Sequence, residues 1–152
     1  MTERYAVIGN PIAQSKSPQI HAAFARQLGH DLRYDAILGP LGGFRRAVDE
    51  FRGQGGRGLN VTVPFKLDAF ALATERTERA ERAGAVNTLK FEAAAVIGDN
   101  TDGAGLIADV RGRLGVRLEA TRILLMGAGG AARGVLLPLL RERPASIAIA
   151  NR

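Results

Sequence analysis

Apolar and polar side chains recur along this chain with two periods, one typical of strands and the other of helices. Residues 59–63 alternate between apolar and polar, which is the period of a β-strand. The apolar positions within residues 67–71 follow at helical spacing, and Pro64 between the two segments suits the first position of a helix. Lys66 is therefore predicted to lie in the first turn of a helix, directly after the carboxyl end of a strand.

Lys66 is an unusual residue for that position. The N-terminus of a helix carries positive partial charge, so a cation is disfavoured there. A local rule that is broken without visible compensation often marks function. One interpretation is that Lys66 serves as a proton donor in a site, and the alternative is a solvated lysine that bends outward.

The same succession of strand and helix continues along the chain. Helices are predicted between most of the strands, including a charged helix that ends near Gly84. This alternation is typical of an α/β fold with a largely parallel sheet. The other predicted strands are residues 5–8, 32–37, 85–91, 96–97, 122–126 and 145–150.

Two hydroxyl residues stand where the first helix begins. Ser17 is a suitable N-cap and Pro18 a suitable first helical residue. Ser15 has no capping role in this interpretation, so the two hydroxyls and the free backbone N–H groups are candidates for binding a carboxylate. Capping alone is the alternative for Ser17. The apolar face of this helix is predicted to consist of Ile20, Phe24 and Leu28.

Two further polar residues stand out in the middle of the chain. Asn87 is predicted to be a buried amide in an apolar strand, where a structural hydrogen bond to neighbouring backbone is the alternative to a functional role. Asp102 lies at or just before a predicted helix start. N-capping is the corresponding alternative for its carboxylate.

A glycine-rich segment at residues 127–134 follows the apolar strand 122–126 and precedes another helix. Strand, glycine loop and helix in that order are the context of a dinucleotide-binding fingerprint. Asn151 and Arg152 occupy the place where an NAD site would carry an acidic residue. An amide and a cation there favour the 2′-phosphate of NADP.

The charge of the chain limits its partners. The formal net charge is +6, and the arginines alternate with glutamates in residues 75–82, as on a solvated helix face. No basic stripe with interleaved aromatic residues is present, so nucleic-acid binding is not expected. A site for an anionic small molecule accounts for the excess charge equally well.

The residue types exclude several other classes of protein. The chain has no cysteine and two histidines, so neither disulfides nor a zinc site are expected. No apolar run approaches the ~20 residues that span a bilayer. The first residues do not resemble a signal peptide, and a cytoplasmic location is therefore expected.

Six stretches of the chain together carry a specific resemblance. Each is a modest signal alone, but they occur in one family's order and cover the chain nearly from end to end. The chain resembles the shikimate dehydrogenase family. The matching stretches are residues 9–11, 15–21, 60–66, 83–88, 98–103 and 127–134.

The resemblance implies a fold and an activity. Residues 1–101 are expected to form an α/β substrate-binding catalytic domain, 102–118 a connecting helix, and 119–152 the start of a Rossmann NADP-binding domain. The implied reaction is the reversible, NADPH-dependent reduction of 3-dehydroshikimate to shikimate. No metal is expected, and the sequence leaves open whether the chain forms a homodimer.

The resemblance also implies roles for individual residues. Lys66 and Asp102 match the family's catalytic pair, and Asn87 joins Asp102 in holding the ring hydroxyls. Glu78 matches a position on the cofactor side. The substrate carboxylate is assigned to Ser15, Ser17 and Thr62. The pyrophosphate is assigned to Gly127, Ala128, Gly129, Gly130 and Ala131, and the 2′-phosphate to Asn151 and Arg152.

The family continues well past residue 152, so the chain is expected to be the N-terminal part of a longer protein with little or no turnover by itself. The incomplete second sheet is also expected to leave an edge and apolar surface uncovered. Two alternatives remain open. A quinate/shikimate dehydrogenase would differ in its kcat/KM for NAD and quinate, and a non-catalytic shikimate-binding module would bind without turnover.

Overall fold

A computed structural model describes residues 2–152. It contains a six-stranded sheet in the order β2-β1-β3-β5-β6-β4 and a separate two-stranded sheet, β7-β8. The strands are β1 (Glu3–Gly9), β2 (Leu32–Leu38), β3 (Gly56–Val61), β4 (Glu75–Arg76), β5 (Thr88–Phe91), β6 (Val96–Asp99), β7 (Arg122–Met126) and β8 (Ser146–Ala150). The helices are α1 (Ser17–Leu28), α2 (Phe44–Gly53), α3 (Lys66–Leu72), α4 (Glu78–Ala83), α5 (Asp102–Ala108) and α6 (Gly130–Arg141), with a π-helical turn at Asp109–Arg113.

Most strand pairs in this α/β fold are parallel, which confirms the predicted class. Strand β1 pairs in parallel with both β2 and β3, and β4 pairs in parallel with β6. Strand β5 is the exception, because it runs antiparallel to β3 and β6. The start of β5 therefore lies at the same edge of the sheet as the carboxyl ends of β1, β3 and β6.

The main core lies on the face of the six-stranded sheet that α2 and α3 cover. Leu59 and Val61 point into it from β3 and are both 2% exposed, while Asn60 between them points to the other face. Phe65 packs against Phe44 with their ring centroids 5.1 Å apart. Burial of these side chains removes apolar surface from water and holds α3, and with it Lys66, against the sheet.

The two sheets are joined where α5 and α6 cross. A side chain at Gly103 would lie 2.3 Å from the Pro138 ring and 2.6 Å from the Gly134 carbonyl, so the helices require glycine at this contact. Pro138 lacks an N–H, and the Gly134 carbonyl four residues earlier therefore has no helical donor. Helix α6 nevertheless continues through Pro138, which packs against α5.

The β7-β8 sheet has little cover. Leu124 and Met126 on β7 and Ile149 on β8 are exposed, which confirms the apolar surface expected there.

No helix in residues 2–152 is long and apolar enough to cross a membrane.

Several local predictions were wrong. The side chains expected to form the buried face of α1 are exposed, because the helix packs on the sheet through Ala25 and His21 instead. Helix α3 begins at Lys66 and not at Pro64. Strand β4 lies inside the segment interpreted as one charged helix. The exposed apolar residues of α1 are Ile20, Phe24 and Leu28.

We expect Phe44→Ala to lower the free energy of unfolding by about 3–5 kcal/mol, because it leaves a cavity in the core. Urea unfolding followed by circular dichroism measures this loss. Leu41→Ala is the control, since Leu41 is 73% exposed, and it should change stability by only about 0.5 kcal/mol. Equal losses in the two variants would contradict this account of the core.

Candidate active site

Four chain segments converge at one edge of the six-stranded sheet. Strands β1, β3 and β6 end there, and β5 begins there. Asn87, just before β5, accepts a backbone hydrogen bond from the Val61 N–H at 2.7 Å and donates its own N–H to the Asp99 carbonyl at 2.9 Å. These bonds extend the sheet by one residue and set the positions of the side chains that follow each strand end.

Lys66 and Asp102 form an ion pair at this edge. The Lys66 ammonium Nζ lies 2.5 Å from Asp102 Oδ2, and the two side chains are 13% and 25% exposed. Each is the first residue of its helix, and Lys66 thus lies in the first turn, as predicted. The Asp102 side chain makes no N-capping bond, so the capping interpretation of its carboxylate is wrong. The structure thus gives the lysine an anionic partner 36 residues away in the sequence.

Asn87 holds the second oxygen of this carboxylate. Its Nδ2 donates to Asp102 Oδ1 at 2.8 Å and to Thr101 Oγ1 at 3.1 Å. Its Oδ1 accepts from the Thr101 backbone N–H at 3.0 Å. The side chain is buried, at 9% exposure, and its burial was predicted. Asn87 therefore makes the structural backbone contact that was one alternative and also contacts the candidate catalytic pair.

The loop before Asp102 is ordered by its own side chains. Buried Asn100 accepts a hydrogen bond from the Asp102 backbone N–H at 3.2 Å and donates to the Ala85 carbonyl at 3.0 Å. Asp99 accepts from Thr77 Oγ1 and from Arg79 Nε, each at 2.6 Å. The Arg79 guanidinium is the main cause that lowers the pKa of Asp99 to about 2, although partial burial acts in the opposite direction.

The hydroxyl residues before and within α1 are arranged differently from the prediction. Helix α1 begins at Ser17, its N-cap is Lys16, and Ser15 Oγ accepts a hydrogen bond from the Ser17 N–H at 3.3 Å. Ser15 therefore accepts the hydrogen bond from the first N–H group of the helix. The sequence had instead assigned the capping role to Ser17. The Ser17 hydroxyl lies near the Tyr34 phenol and acts to lower its pKa, against the larger effect of burial, which raises it.

Thr62 follows the end of β3 at the same edge. Its backbone N–H donates to the Ile8 carbonyl at 3.0 Å, and it is half-buried. A side chain at Gly9 would come within 2.4 Å of the Thr62 methyl group. The close approach of β1 and β3 at this point therefore depends on glycine at position 9.

The glycine loop between β7 and α6 has the form that a dinucleotide site requires. Gly127 has φ = +103°, a conformation that favours glycine. Side chains added at Gly127 or Gly129 would meet no atom within 4 Å, so the approach to the backbone is open there. Gly129 precedes α6 and makes no side-chain cap, which leaves the first N–H groups of this helix open to an anion.

This loop also contacts the candidate catalytic pair. A side chain at Gly130 would lie 3.0 Å from the Cβ atom of Lys66. The first turn of α6, to which Ala131 also belongs, therefore packs beside the lysine. The loop residue Ala128 is exposed.

The other three candidate residues stand apart from the pair. Asn151 and Arg152 follow β8 and are exposed, with Asn151 Nδ2 donating to the Arg152 carbonyl at 2.9 Å. Glu78 begins α4 and binds Arg82 on its own helix at 2.9 Å. It lines a groove of about 720 Å³ between α4, α5 and α6, which Arg133 of α6 also lines.

Sequence reasoning missed several polar residues around the pair. Asn100 and Thr101 lie in the matching stretch 98–103 but were given no role. Asn100 accepts a hydrogen bond from the Asp102 N–H, and Thr101 bonds to Asn87, which holds the Asp102 carboxylate. Asn60 lies in the matching stretch 60–66 and was noted as a polar position in an alternating strand, but it was also given no role. Within residues 2–152, no group of three or more His, Asp or Glu side chains is placed to hold a metal ion.

The chain is similar to known proteins over nearly its whole length. The family model for the shikimate dehydrogenase substrate-binding domain matches residues 7–89. The NADP(+) shikimate dehydrogenase of Herminiimonas arsenicoxydans is 62% identical over 152 residues, which are all of this chain and 56% of that protein. The corresponding enzyme of Aromatoleum aromaticum is 65% identical over 99% of this chain and 54% of its own length.

A solved structure shows the same fold with both ligands present. The crystal structure of shikimate 5-dehydrogenase from Thermus thermophilus, in complex with NADP(H) and shikimate, superposes with a TM-score of 0.89 at 34% identity. The match covers 99% of this chain and 56% of that one. The chain thus spans about half the length of the relatives that it matches.

The fold is α/β, and residues 7–89 match a substrate-binding domain that is followed in this chain by a glycine loop before α6. The chain belongs to the shikimate dehydrogenase family.

We expect the Asp99 carboxylate to make stability depend on acid pH. Its folded pKa of about 2 lies below its ordinary value of 3.8, so the charged group stabilises the fold above about pH 4, and this contribution is lost as the pH falls to about 2. Asp99→Asn should therefore be less stable at neutral pH, and its stability should fall less steeply in that range. Urea unfolding at a series of pH values measures both effects.

Asp109→Asn is the matched control for this experiment. Asp109 also pairs with an arginine, Arg113, but on the surface, where solvent screens the interaction. Arg113 also lowers the pKa of Asp109, but solvent screens this exposed pair, so the replacement should change the pH dependence much less than Asp99→Asn does. The same pH slope in the parent and in Asp99→Asn would refute the assignment.

Proposed function

We propose that this chain carries the substrate-binding and proton-transferring part of an NADP-dependent shikimate dehydrogenase. The reaction is the reversible reduction of 3-dehydroshikimate to shikimate in the pathway of aromatic amino-acid biosynthesis. The observation that carries this proposal is the partly buried Lys66–Asp102 ion pair beside the glycine loop. Family membership and the names of the relatives support it.

Lys66 is the proton donor in this proposal. NADPH, when bound, supplies a hydride to the carbonyl carbon, and negative charge then develops on the carbonyl oxygen. The Lys66 ammonium stabilises that charge and transfers a proton to the oxygen. In the opposite direction the lysine accepts the hydroxyl proton as shikimate is oxidised.

Asp102 orients the ammonium and binds the substrate ring. Its Oδ2 holds Lys66, while Oδ1 is held by Asn87. An ionised carboxylate accepts about four hydrogen bonds, so it retains capacity for a ring hydroxyl. Asn87 is assigned as the second group that binds these hydroxyls, and its Nδ2 would exchange the bond to Thr101 Oγ1 for one to the substrate.

Three hydroxyl groups bind the substrate carboxylate in this proposal. Ser15 and Ser17 lie at the start of α1, and Thr62 follows β3. Hydroxyls donate hydrogen bonds without adding charge, so they orient the carboxylate at a fixed end of the site. The ketone at the far side of the ring is then presented to Lys66.

The residues of the second sheet fit NADP. The open glycine turn and the free N–H groups of α6 are suited to the pyrophosphate, which assigns Gly127, Ala128, Gly129, Gly130 and Ala131 to it. The exposed amide of Asn151 and the cation of Arg152 are suited to the 2′-phosphate. Glu78 is assigned to the cofactor side through the groove that it shares with Arg133.

The division into domains is part of the same proposal. Residues 1–101 bind substrate, 102–118 connect, and 119–152 begin the nucleotide-binding domain. The separate six-stranded and two-stranded sheets support this division. A cytoplasmic location is proposed from the biosynthetic role, and cell fractionation tests it.

We also propose that the chain forms a homodimer through α1 and β2. Helix α1 exposes Phe24 and Leu28, at 52% and 71%, and β2 is a free edge of the six-stranded sheet. Sedimentation velocity should show a dimer at micromolar concentration, and Leu28→Glu should convert it to a monomer. A parent chain that sediments as a monomer would contradict this proposal.

The Lys66 assignment can be tested in a hybrid enzyme, made by joining these 152 residues to the remainder of the Herminiimonas arsenicoxydans dehydrogenase. Lys66→Ala should lower kcat by about 10²–10⁴-fold through loss of the proton donor. Its affinity for shikimate, measured by calorimetry, should change little. The 152 residues alone should show little or no turnover in an NADPH absorbance assay.

Lys90→Ala is the matched control in the hybrid enzyme. Lys90 is exposed and pairs with Glu92 on the surface, so its removal should leave kcat unchanged. Near-normal turnover in Lys66→Ala would refute the proton-donor role. A folded parent hybrid that does not reduce 3-dehydroshikimate would refute the proposed function itself.

A further inference from the structure

Three polar side chains lie together on the face of the six-stranded sheet opposite its main core. They are Tyr34 of β2, Asn60 of β3 and Thr88 of β5. Asn60 and Thr88 are direct register partners. Tyr34 reaches Asn60 across β1, which lies between their strands.

These side chains form a continuous series of hydrogen bonds toward the ion pair. The Tyr34 hydroxyl donates to Asn60 Oδ1 at 2.6 Å, and Asn60 Nδ2 donates to Thr88 Oγ1 at 3.3 Å. The Thr88 hydroxyl donates to Asn87 Oδ1 at 2.9 Å. Asn87 then donates to Asp102 Oδ1, whose other oxygen binds Lys66. We call this series the Tyr34 relay.

The direction of every bond in the Tyr34 relay follows from its anionic end. An ionised carboxylate only accepts, so Asn87 must turn its Nδ2 toward Asp102. Its Oδ1 then faces the backbone N–H of Thr101, which only donates, and this contact independently requires the same orientation. The Thr88 hydroxyl therefore donates to Asn87 and accepts from Asn60, and Asn60 turns its oxygen to Tyr34.

Tyr34 is held firmly enough to act as the first donor. The His21 ring of α1 stacks on it with centroids 4.1 Å apart and planes 3° from parallel. Burial raises the pKa of Tyr34, with the Ser17 hydroxyl acting in the opposite direction, so the phenol keeps its proton at neutral pH. Helix α1 thus connects Ser17 at one end of the site to the relay.

We propose that Tyr34 and Thr88 are positioning residues that orient Asn87 and, through it, the Asp102 carboxylate that holds Lys66. This rests on the proposed dehydrogenase function. Hydrogen bonds that all point the same way polarise one another, and each fixes the rotamer of the next group. The relay therefore sets the geometry of the ion pair before substrate arrives, although neither Tyr34 nor Thr88 touches the pair.

The kinetic test uses Tyr34→Phe and Thr88→Val in the hybrid enzyme. Tyr34→Phe keeps the ring and its stacking on His21 but removes the first donor, and kcat should fall about tenfold. The KM for NADPH should change little, because the relay acts on the charged groups of the pair, whereas the glycine loop contacts the apolar stem of Lys66. Thr88→Val, which removes the hydroxyl at nearly constant volume, should lower kcat by at least as much, and Thr88→Ser should restore it.

The double variant distinguishes a relay from two separate structural effects. Once Thr88→Val has broken the series, loss of the Tyr34 hydroxyl should have no further effect on kcat. Additive losses in the double variant would overturn the proposal. An unchanged kcat in Tyr34→Phe would overturn it as well.

The second test does not depend on catalysis. In the 152-residue chain, the ¹⁵N–¹H signals of the Asn60 and Asn87 side-chain amides should move in Tyr34→Phe. Tyr5→Phe is the matched control, because the Tyr5 hydroxyl bonds only to exposed Glu3 on the same face of the sheet, and both amide signals should stay in place.

Stationary Asn87 signals in Tyr34→Phe would overturn the relay whatever the hybrid enzyme does. A hybrid without turnover would instead refute the proposed function, and the amide signals would still decide whether the relay exists. Moving amide signals together with an unchanged kcat would overturn the positioning role. Failure of the relay and failure of the proposed dehydrogenase function therefore give different results.

Discussion

The ion pair between Lys66 and Asp102 is the interaction on which the rest of this structure depends. Two opposite charges held partly out of water are tolerated only when both are paired and their remaining polar atoms are bonded. The two charges are paired, Asn87 binds the second carboxylate oxygen, and both side chains stay partly exposed, so the other ammonium N–H groups are not sealed from water. The order of the surrounding loops follows from this need.

The reversed direction of β5 places Asn87 beside the ion pair. In a wholly parallel sheet the residue before a strand lies at the opposite edge from the carboxyl ends of its neighbours. Because β5 is antiparallel to β3 and β6, Asn87 instead lies beside the ends of both. One exception to the parallel arrangement therefore brings the amide to the carboxylate that it holds.

The two faces of the six-stranded sheet have different roles. One face of β3 contributes Leu59 and Val61 to the main core, and the other presents Asn60 to Tyr34 and Thr88. Strand periodicity alone produces this separation, since successive side chains point to opposite faces. The packed face supplies stability, and the polar face connects α1 with the ion pair.

The sequence by itself determined the class of fold, the position of Lys66 after a strand, the burial of Asn87 and the glycine loop, because periodicity and turn chemistry are local properties. Its motifs also named the residues of the candidate site. The sequence did not indicate which face of α1 packs on the sheet. Phe24 lies at helical spacing but faces solvent, while His21 packs on Tyr34. Helical spacing defines a stripe without saying which neighbour covers it.

Only the tertiary structure decided which groups meet. The partner of Lys66 is 36 residues away, and Tyr34 lies 26 residues from Asn60. Such contacts depend on strand order, strand direction and register, which bring together residues that no local spacing relates. The same is true of Gly130, whose fit against Lys66 follows from the crossing of α5 and α6.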